Sequence, residues 1–263
     1  MPGMKTKGGA ILLLVILFVV FTLSLTMLAL DWERRAAVNK GFSEMAALAR
    51  PRRGASEPSQ GPPAQVSESP ALLEEYRELH QRFPDLVGWI RIAGTAIDYP
   101  VMFSGDDFYL DHGVDGKKSR SGVPYLDKRC QTEPFGANTI IYGHHMKDGT
   151  MFAELEKYRD QQYYREHRVI CFDTLFAKQE YVIFAVFQSK VYASEDAVFK
   201  HYNFLQARDQ EEFDDYLAAV RGLSLYDTGL VPAYGDELLT LVTCSYHTKR
   251  GQLVVVAKKS GGD

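Results

Sequence analysis

A charge-free apolar run near the N-terminus constrains this chain more than any other feature. The run "GAILLLVILFVVFTLSLTMLAL" extends from Gly9 to Leu30 without a charged residue. As a helix it would be about 33 Å long, enough to cross the hydrocarbon core of a bilayer. A cleaved signal peptide is the alternative, but its apolar region is shorter, and "TMLALDWERR" has no A-x-A-like cleavage site. We therefore predict an N-terminal segment, 1–8, and an uncleaved membrane anchor, 9–30.

Positive charges lie on both sides of this predicted anchor. Lys5 and Lys7 precede it, and Arg34, Arg35 and Lys40 follow it. Membrane orientation depends on a clear excess of positive charges on one flank. Because these positive residues lie on both flanks in similar number, the charges alone do not orient the anchor.

The segment after the anchor has the composition of a linker. Residues 31–69 contain "RPRRGASEPSQGPPAQVSESP", which is rich in Pro, Gly, Ser and Gln and has few apolar side chains to bury. We predict a flexible stalk over 31–69 and a folded domain over 70–263. Ser69 followed by Pro70 resembles a helix N-cap with proline at the first helical position. Apolar residues then share one helical face: Leu72, Leu73, Tyr76, Leu79 and Phe83.

From Gly88 onward, short apolar runs with a period of two indicate β-strands. They are "GWIRI", "IDYPVM", "NTIIYG", "RVICF", "YVIFAVFQSKV", "ELLTLVTC" and "QLVVVAKK". Two helices are predicted among them, from Thr150 to Tyr158 and from Asp209 to Arg221, the second with capping-box spacing and a stop at Gly222. Many short strands with few helices favour a mainly β fold that closes into a barrel and leaves no exposed edge.

Charge and cysteine spacing exclude two classes of function. The formal net charge of −4 provides no positive excess to follow a phosphate backbone, so no nucleic-acid partner is expected. The three cysteines form no C-x-x-C pair and no zinc-finger spacing, so no metal site is expected. Cys171, inside an apolar strand, is predicted to be buried, and Cys130, in a polar loop, to be exposed. A disulfide between these two is the alternative.

Cys244 differs because it ends a strand, where a side chain can project into a groove while the backbone stays anchored. A free thiol is only a few per cent thiolate at pH 7, so a nucleophilic cysteine needs a base from elsewhere in the chain. His144 and His145 directly follow another predicted strand. Adjacent side chains of an extended segment point to opposite sides, so one of them can face the thiol. We predict that His144 does; a surface or structural histidine is the alternative.

Three motifs together resemble those of the sortases, the membrane-anchored cysteine transpeptidases of Gram-positive bacteria. They are "TLVTC" at 240–244, "IIYGHHMKDGTMF" at 140–152 and "VVVAKK" at 254–259. The likeness extends over about Leu72 to Lys259, and the helix predicted before the cysteine strand resembles class B. The resemblance implies an eight-stranded β-barrel with extra helices, no cofactor, and a single-pass membrane protein with its N-terminus in the cytoplasm and its catalytic domain outside the cell.

The resemblance also implies a reaction and its residues. Cys244 would cleave a C-terminal sorting signal after a threonine and hold the protein as a thioester, which an amine of a peptidoglycan precursor or a pilin would resolve. The clients would be surface proteins or pilins. His144 would be the general acid and base. Leu110, Val242 and Ser245 are the predicted substrate-binding residues.

An arginine should stabilise the oxyanion, but the chain departs from the class B pattern there. Gln252 stands where the arginine is expected, directly before "LVVV", and Arg250 precedes it by two residues. Arg250 carries a permanent charge and, in an extended chain, would lie on the same side as residue 252. We therefore predict that Arg250 stabilises the oxyanion. A solvated hairpin tip at Lys249 and Arg250 is the alternative.

Two other functions remain open at the level of sequence. One is a membrane-tethered β-barrel that binds a peptide or wall ligand without catalysis. The other is a cysteine hydrolase that transfers the thioester to water.

Overall fold

The computed structural model describes residues 6–49, 71–132 and 134–261. The chain forms two compact units, Met1–Ala47 and Leu48–Asp263.

The first unit consists of one long helix, α1 (Thr6–Leu48). It contains a candidate membrane span, Ile11–Glu33, whose length and apolar composition suffice to cross a bilayer. The helix continues to Leu48, through the first part of the predicted stalk 31–69. The prediction of a flexible segment is therefore corrected over that part. The stretch "DWERRAAVNKGFSEMAAL" has no proline and is rich in Ala, Glu, Arg, Met and Leu, which favour helix. The Pro-rich remainder of the predicted stalk, 50–69, lies outside the described residues.

The second unit contains a closed barrel of eight strands. They are β1 (Leu86–Arg91), β2 (Asp98–Met102), β3 (Tyr125–Leu126), β4 (Asn138–Tyr142), β5 (Val169–Thr174), β6 (Glu180–Lys190), β7 (Leu238–Cys244) and β8 (Gly251–Lys259). Their order around the barrel is β1-β2-β3-β4-β7-β8-β6-β5, with β5 paired to β1. The prediction of a mainly β, closed eight-stranded barrel is confirmed. Only β3, two residues long, had no counterpart among the predicted runs.

Helices precede the first strand and connect later ones, and their bounds differ in detail from those predicted. They are α2 (Glu74–Arg82), α3 (Gln161–Glu166), α4 (Gln210–Leu223) and three 3₁₀ helices, Phe108–Leu110, Ala153–Arg159 and His201–Asn203. The predicted cap at Ser69 lies outside the described residues, and α2 begins only at Glu74.

The predicted helix before the cysteine strand is confirmed as α4. Its Asp209 side chain accepts a hydrogen bond from the Glu212 amide at 2.9 Å, as the capping-box spacing predicts. Gly222 does not stop this helix, which ends at Leu223. The helix predicted from Thr150 is instead the 3₁₀ helix Ala153–Arg159, and it packs against β6 and β8.

Most strand pairs are antiparallel, but β2 with β3 and β4 with β7 are parallel, and β4 and β7 are in register from Asn138↔Leu238 to Tyr142↔Val242. Both strands therefore end at the same rim of the barrel. The antiparallel partner β8 begins at this rim, with Gln252 opposite Cys244. Side chains of Thr240 and Asn138 bond each other at 2.8 Å within the buried β4–β7 interface. This pairing brings the ends of β4 and β7 and the start of β8 together at one rim of the barrel.

Gly143, directly after β4, is required by a close approach rather than by its backbone torsion. A Cβ atom at this position would lie 2.6 Å from the Phe152 ring. Phe152 is fully buried, and its amide donates to the carbonyl of His144 at 2.9 Å. The aromatic ring thus packs directly on the backbone that leads into His144.

We expect Gly143→Ala to destabilise the protein by about 1–3 kcal/mol, because the added methyl group overpacks a rigid site. Gly222→Ala is the control. It lies in α4 with no atom within 4 Å of the added Cβ, so it should stabilise by about 0.5–1 kcal/mol. Denaturant unfolding of the detergent-solubilised protein measures both. Equal stability of the Gly143 variant and the parent would contradict the packing described here.

Candidate active site

A cleft of about 650 Å³ opens at the rim where β4 and β7 end. Its walls come from strand ends and from the loops between them. The lining residues include Leu110, Tyr125, Asp127, Arg129, Tyr142, His144, Val191, Tyr202, Val242, Cys244, Arg250 and Gln252. All three predicted catalytic residues therefore line one cavity, together with the predicted substrate residues Leu110 and Val242.

Parallel strand pairing explains why His144 and Cys244 meet. Tyr142 of β4 lies opposite Val242 of β7. His144 follows Tyr142 by two residues, and Cys244 follows Val242 by two residues. The backbones stay joined beyond the regular ladder, because the Gly143 amide donates to the Val242 carbonyl at 3.1 Å. The sequence separation of one hundred residues is thus bridged by main-chain hydrogen bonds.

The His144 ring is oriented by a single backbone contact. Its Nε2 lies 2.7 Å from the carbonyl oxygen of Leu110, at the end of the 3₁₀ helix Phe108–Leu110. A carbonyl only accepts, so Nε2 carries a proton and donates it in this bond. In the neutral ring, Nδ1 is then the free base. Leu110 therefore positions the histidine through its backbone, in addition to lining the cleft.

His145 has a different contact, as the alternation of adjacent side chains predicts. Its Nδ1 lies 3.0 Å from the backbone carbonyl of Cys244, and its ring packs against that of Tyr246 at 5.1 Å. The hydroxyl of Thr243 donates to the carbonyl of Gly143 at 2.8 Å and further ties the two strand ends. His145 thus contacts the backbone of Cys244. The His144 side chain lines the same cleft as the Cys244 thiol.

The Cys244 thiol is exposed to the cleft, yet the surrounding walls desolvate it. This burial raises the pKa of Cys244 above its ordinary value, because the thiolate is the form that loses hydration. The resting Cys244 thiol is therefore neutral.

The other two cysteines are also free thiols, so no disulfide joins them. Cys130 is buried, contrary to the prediction, and its sulfur accepts from the Ile140 amide at 3.4 Å. Burial raises the pKa of Cys130 to about 11. Cys171 is half-buried on β5, opposite Arg91, and burial raises its pKa as well. Neither thiol lines the cleft.

Two side chains on the β7–β8 hairpin are candidates for binding the oxyanion. Gln252 lies on β8 directly opposite Cys244, and its buried Oε1 has no hydrogen-bond partner among the described residues. Arg250 lies in the turn with φ at 58°, so the chain is not extended there as predicted. Arg250 nevertheless lines the cleft. The backbone amide of Ser245, the residue after the nucleophile, already donates to the Gly251 carbonyl at 2.8 Å.

Ser245, which was predicted to bind substrate, does not line the cleft. It is 2% exposed, and its hydroxyl donates to Glu156 Oε1 at 3.1 Å. Successive residues of a strand point to opposite sides, so the neighbour of a cleft-facing cysteine faces away from the cleft. Strand alternation in the sequence therefore predicts the direction of the Ser245 side chain once Cys244 is placed in the cleft.

One wall of the cleft had no counterpart in the sequence interpretation. Arg129 forms a bidentate pair with Asp127 at 2.7 and 2.8 Å, the Tyr142 hydroxyl donates to the same carboxylate at 3.1 Å, and Arg129 also donates to the Tyr202 carbonyl. Burial disfavours the Asp127 carboxylate, but these donors hold its pKa below the ordinary value. The wall is a fixed, internally paired network. Among the described residues, no group of three His, Cys, Asp or Glu side chains is arranged to hold a metal ion.

The raised pKa of Cys244 predicts how its alkylation depends on pH. The thiolate is the reactive form, so the rate with iodoacetamide should rise about tenfold per pH unit from pH 7 to 8.5 without a plateau. Peptide mass spectrometry separates Cys244 from the two other cysteines. A plateau below pH 8 would contradict the account, because it would require a cation that stabilises the thiolate at rest.

Comparison with known proteins supports the resemblance in sequence. The family model of the sortase domain matches residues 90–260. A sortase B of Listeria monocytogenes is 36% identical over 190 residues, which cover 71% of this chain and 74% of that protein.

Solved structures agree with this assignment. A Staphylococcus aureus sortase B–substrate complex superposes with a TM-score of 0.71 at 25% identity, covering 88% of this chain and 97% of that one. A sortase B complexed with Gly3 superposes with a TM-score of 0.70 at 25% identity, covering 88% and 98%. Their closeness in fold and sequence, together with the cysteine and histidine on paired strand ends, leads to one conclusion: the chain belongs to the sortase family of cysteine transpeptidases, class B.

Proposed function

We propose that this sortase cleaves a C-terminal sorting signal after threonine and transfers the protein to an amine of a peptidoglycan precursor or a pilin lysine. The observation that carries the proposal is the meeting of Cys244 and His144 in one cleft at the ends of paired strands. The related sortase B structures with a substrate and with Gly3 support a peptide signal and an amine as the two substrates.

The proposed location is the cell membrane, with α1 as a single-pass anchor and the barrel outside the cell. The candidate span Ile11–Glu33 supports the anchor. Protease added to intact cells should digest the barrel domain and spare the N-terminal segment. Complete protection of the barrel would reject this orientation.

In the first half-reaction, Cys244 loses its proton to Nδ1 of His144, and the sulfur attacks the carbonyl carbon after the threonine. The carbon–nitrogen bond then breaks. His144 returns the proton to the leaving amine, and the client remains attached as a thioester. Nδ1 is suited to this transfer because Leu110 occupies the other ring nitrogen.

In the second half-reaction, the acceptor amine enters the cleft and attacks the thioester carbon. His144 takes a proton from the amine, the carbon–sulfur bond breaks, and the thiol is restored. The same histidine thus serves once as acid and once as base in each half. No other group is needed to balance the protons.

Arg250 is proposed to stabilise the negative oxygen that develops in both tetrahedral intermediates. It is the permanent cation on the hairpin turn beside the thiol, and Gln252 has no charge. The amide after the nucleophile, Ser245, is already bonded to Gly251 and does not compete for this role.

A peptide assay with the detergent-solubilised full chain distinguishes the transferase from its alternatives. A quenched peptide carrying a sorting signal from a surface protein of the same organism is incubated with and without triglycine. Cleavage followed by formation of the peptide–triglycine product supports the proposal. Cleavage insensitive to triglycine indicates a hydrolase, and binding without cleavage indicates a peptide-binding barrel.

Substitutions at the paired strand ends should separate the two histidines. Cys244→Ala and His144→Ala should each abolish measurable turnover, because they remove the nucleophile and the proton carrier. His145→Ala should retain most activity, with unfolding stability lowered by about 1 kcal/mol through loss of one hydrogen bond. An equal loss of kcat in both histidine variants would refute the assignment of His144 alone.

Arg250→Ala should lower kcat by about 10² to 10³-fold, as expected for loss of one oxyanion donor. Gln252→Ala should cost far less, since a neutral amide contributes less to a developing charge. Steady-state kinetics of both variants in the peptide assay test this order. Greater impairment of the Gln252 variant would assign the oxyanion to Gln252 instead.

A further inference from the structure

The turn between β7 and β8 holds Arg250 in a conformation that a side chain disfavours. Its φ of 58° lies in the left-handed region. Backbone hydrogen bonds fix its two sides: the Val191 amide donates to the Arg250 carbonyl at 3.0 Å, and the Gly251 amide donates to the Thr248 carbonyl at 3.0 Å. Such a turn persists only where its surroundings support it.

The support lies on the side of β7 that faces away from the cleft. Ser245 is buried there, and its hydroxyl donates to Glu156 Oε1 at 3.1 Å. His247 Nδ1 lies 3.1 Å from the same hydroxyl oxygen. Because the serine proton is directed to the carboxylate, His247 must donate in the second bond. A carboxylate, a hydroxyl and an imidazole thus form one chain beneath the turn.

Tight packing connects this chain to the residue beside Arg250. A Cβ atom on Gly251 would lie 2.4 Å from the Ser245 carbonyl oxygen and 2.9 Å from His247 Cε1. The backbone of Gly251 therefore packs closely against both Ser245 and His247. A displacement of the hydrogen-bonded series Glu156, Ser245 and His247 would therefore reach Arg250 through the adjacent residue Gly251.

Glu156 anchors the chain to the body of the barrel. It belongs to the 3₁₀ helix Ala153–Arg159, which packs against β6 and β8. Arg159 donates to the same Oε1 at 3.2 Å, whereas the buried Oε2 has no partner among the described residues. Glu156 is thus fixed by its helix and directs one oxygen to Ser245.

We propose that Glu156 is a positioning residue that acts through Ser245 and His247 to hold the β7–β8 turn, so that Arg250 faces the thiol of Cys244. This inference rests on the proposed oxyanion role of Arg250. Glu156 does not line the cleft and contacts no reacting atom. Its contribution to the reaction is carried entirely by the geometry of the turn.

Hydrogen exchange and kinetics of the full chain in detergent test the proposal together. Ser245→Ala and Glu156→Ala should raise amide exchange in the peptide 245–253 by about tenfold or more and lower kcat by about 10- to 10²-fold. Glu156→Gln keeps an acceptor oxygen and should restore both readouts. Lys157→Ala, on the same 3₁₀ helix but without contact to Ser245, is the control and should change neither.

A double substitution decides whether the effect passes through Arg250. In an Arg250→Ala background, Ser245→Ala should cause no further loss of kcat. Unchanged exchange in the Ser245 and Glu156 variants overturns the proposal, and so does a loss that multiplies in the double variant. The exchange readout needs no turnover, so failure of the transfer assay in the parent protein would be seen separately, as an absent product with the exchange pattern intact.

Discussion

The parallel pairing of β4 with β7 is the constraint on which the rest of the site depends. It places two strand ends at one rim, although one hundred residues of chain separate His144 from Cys244. Main-chain bonds hold this register, and the Thr243 hydroxyl adds a bond to the Gly143 carbonyl. A slip by one residue would turn every side chain to the other face, and His145 would then replace His144 in the cleft. The proposed catalytic pair is therefore brought together by the backbone pairing of two strands.

The electrostatics of the cleft complement this geometry. Desolvation keeps the Cys244 thiol neutral at rest, and the bidentate pair of Asp127 with Arg129 in the cleft wall is satisfied internally. In the proposed reaction, negative charge therefore develops on the reacting atoms only when a substrate carbonyl is attacked. In the proposed mechanism Arg250, which lines the same cleft, meets the negative oxygen without reorganisation, which is the condition under which such a donor contributes most.

Much of the fold followed from the sequence, because strand periodicity and cap spacing are local signals. The barrel strands, the cap of α4 and the candidate span were predicted from such patterns. Features set by tertiary contacts were not. β3 is too short to show a period, and Cys130 is buried by its bond to the Ile140 amide despite its polar neighbours. The wall built on Asp127 also depends on Tyr202, which lies far away in the chain. Ser245 was predicted to bind substrate, but it does not line the cleft, as strand alternation implies once Cys244 faces it.

The central claim is that Cys244 carries the client as a thioester while His144 manages the protons. Intact-mass measurement of the full chain, incubated with a sorting-signal peptide and no amine, tests it most directly. We expect an added mass equal to the N-terminal part of the cleaved peptide, mapped to Cys244 and lost on addition of triglycine. Absence of any adduct while the peptide is cleaved, or an adduct on Cys130 or Cys171, would contradict the account.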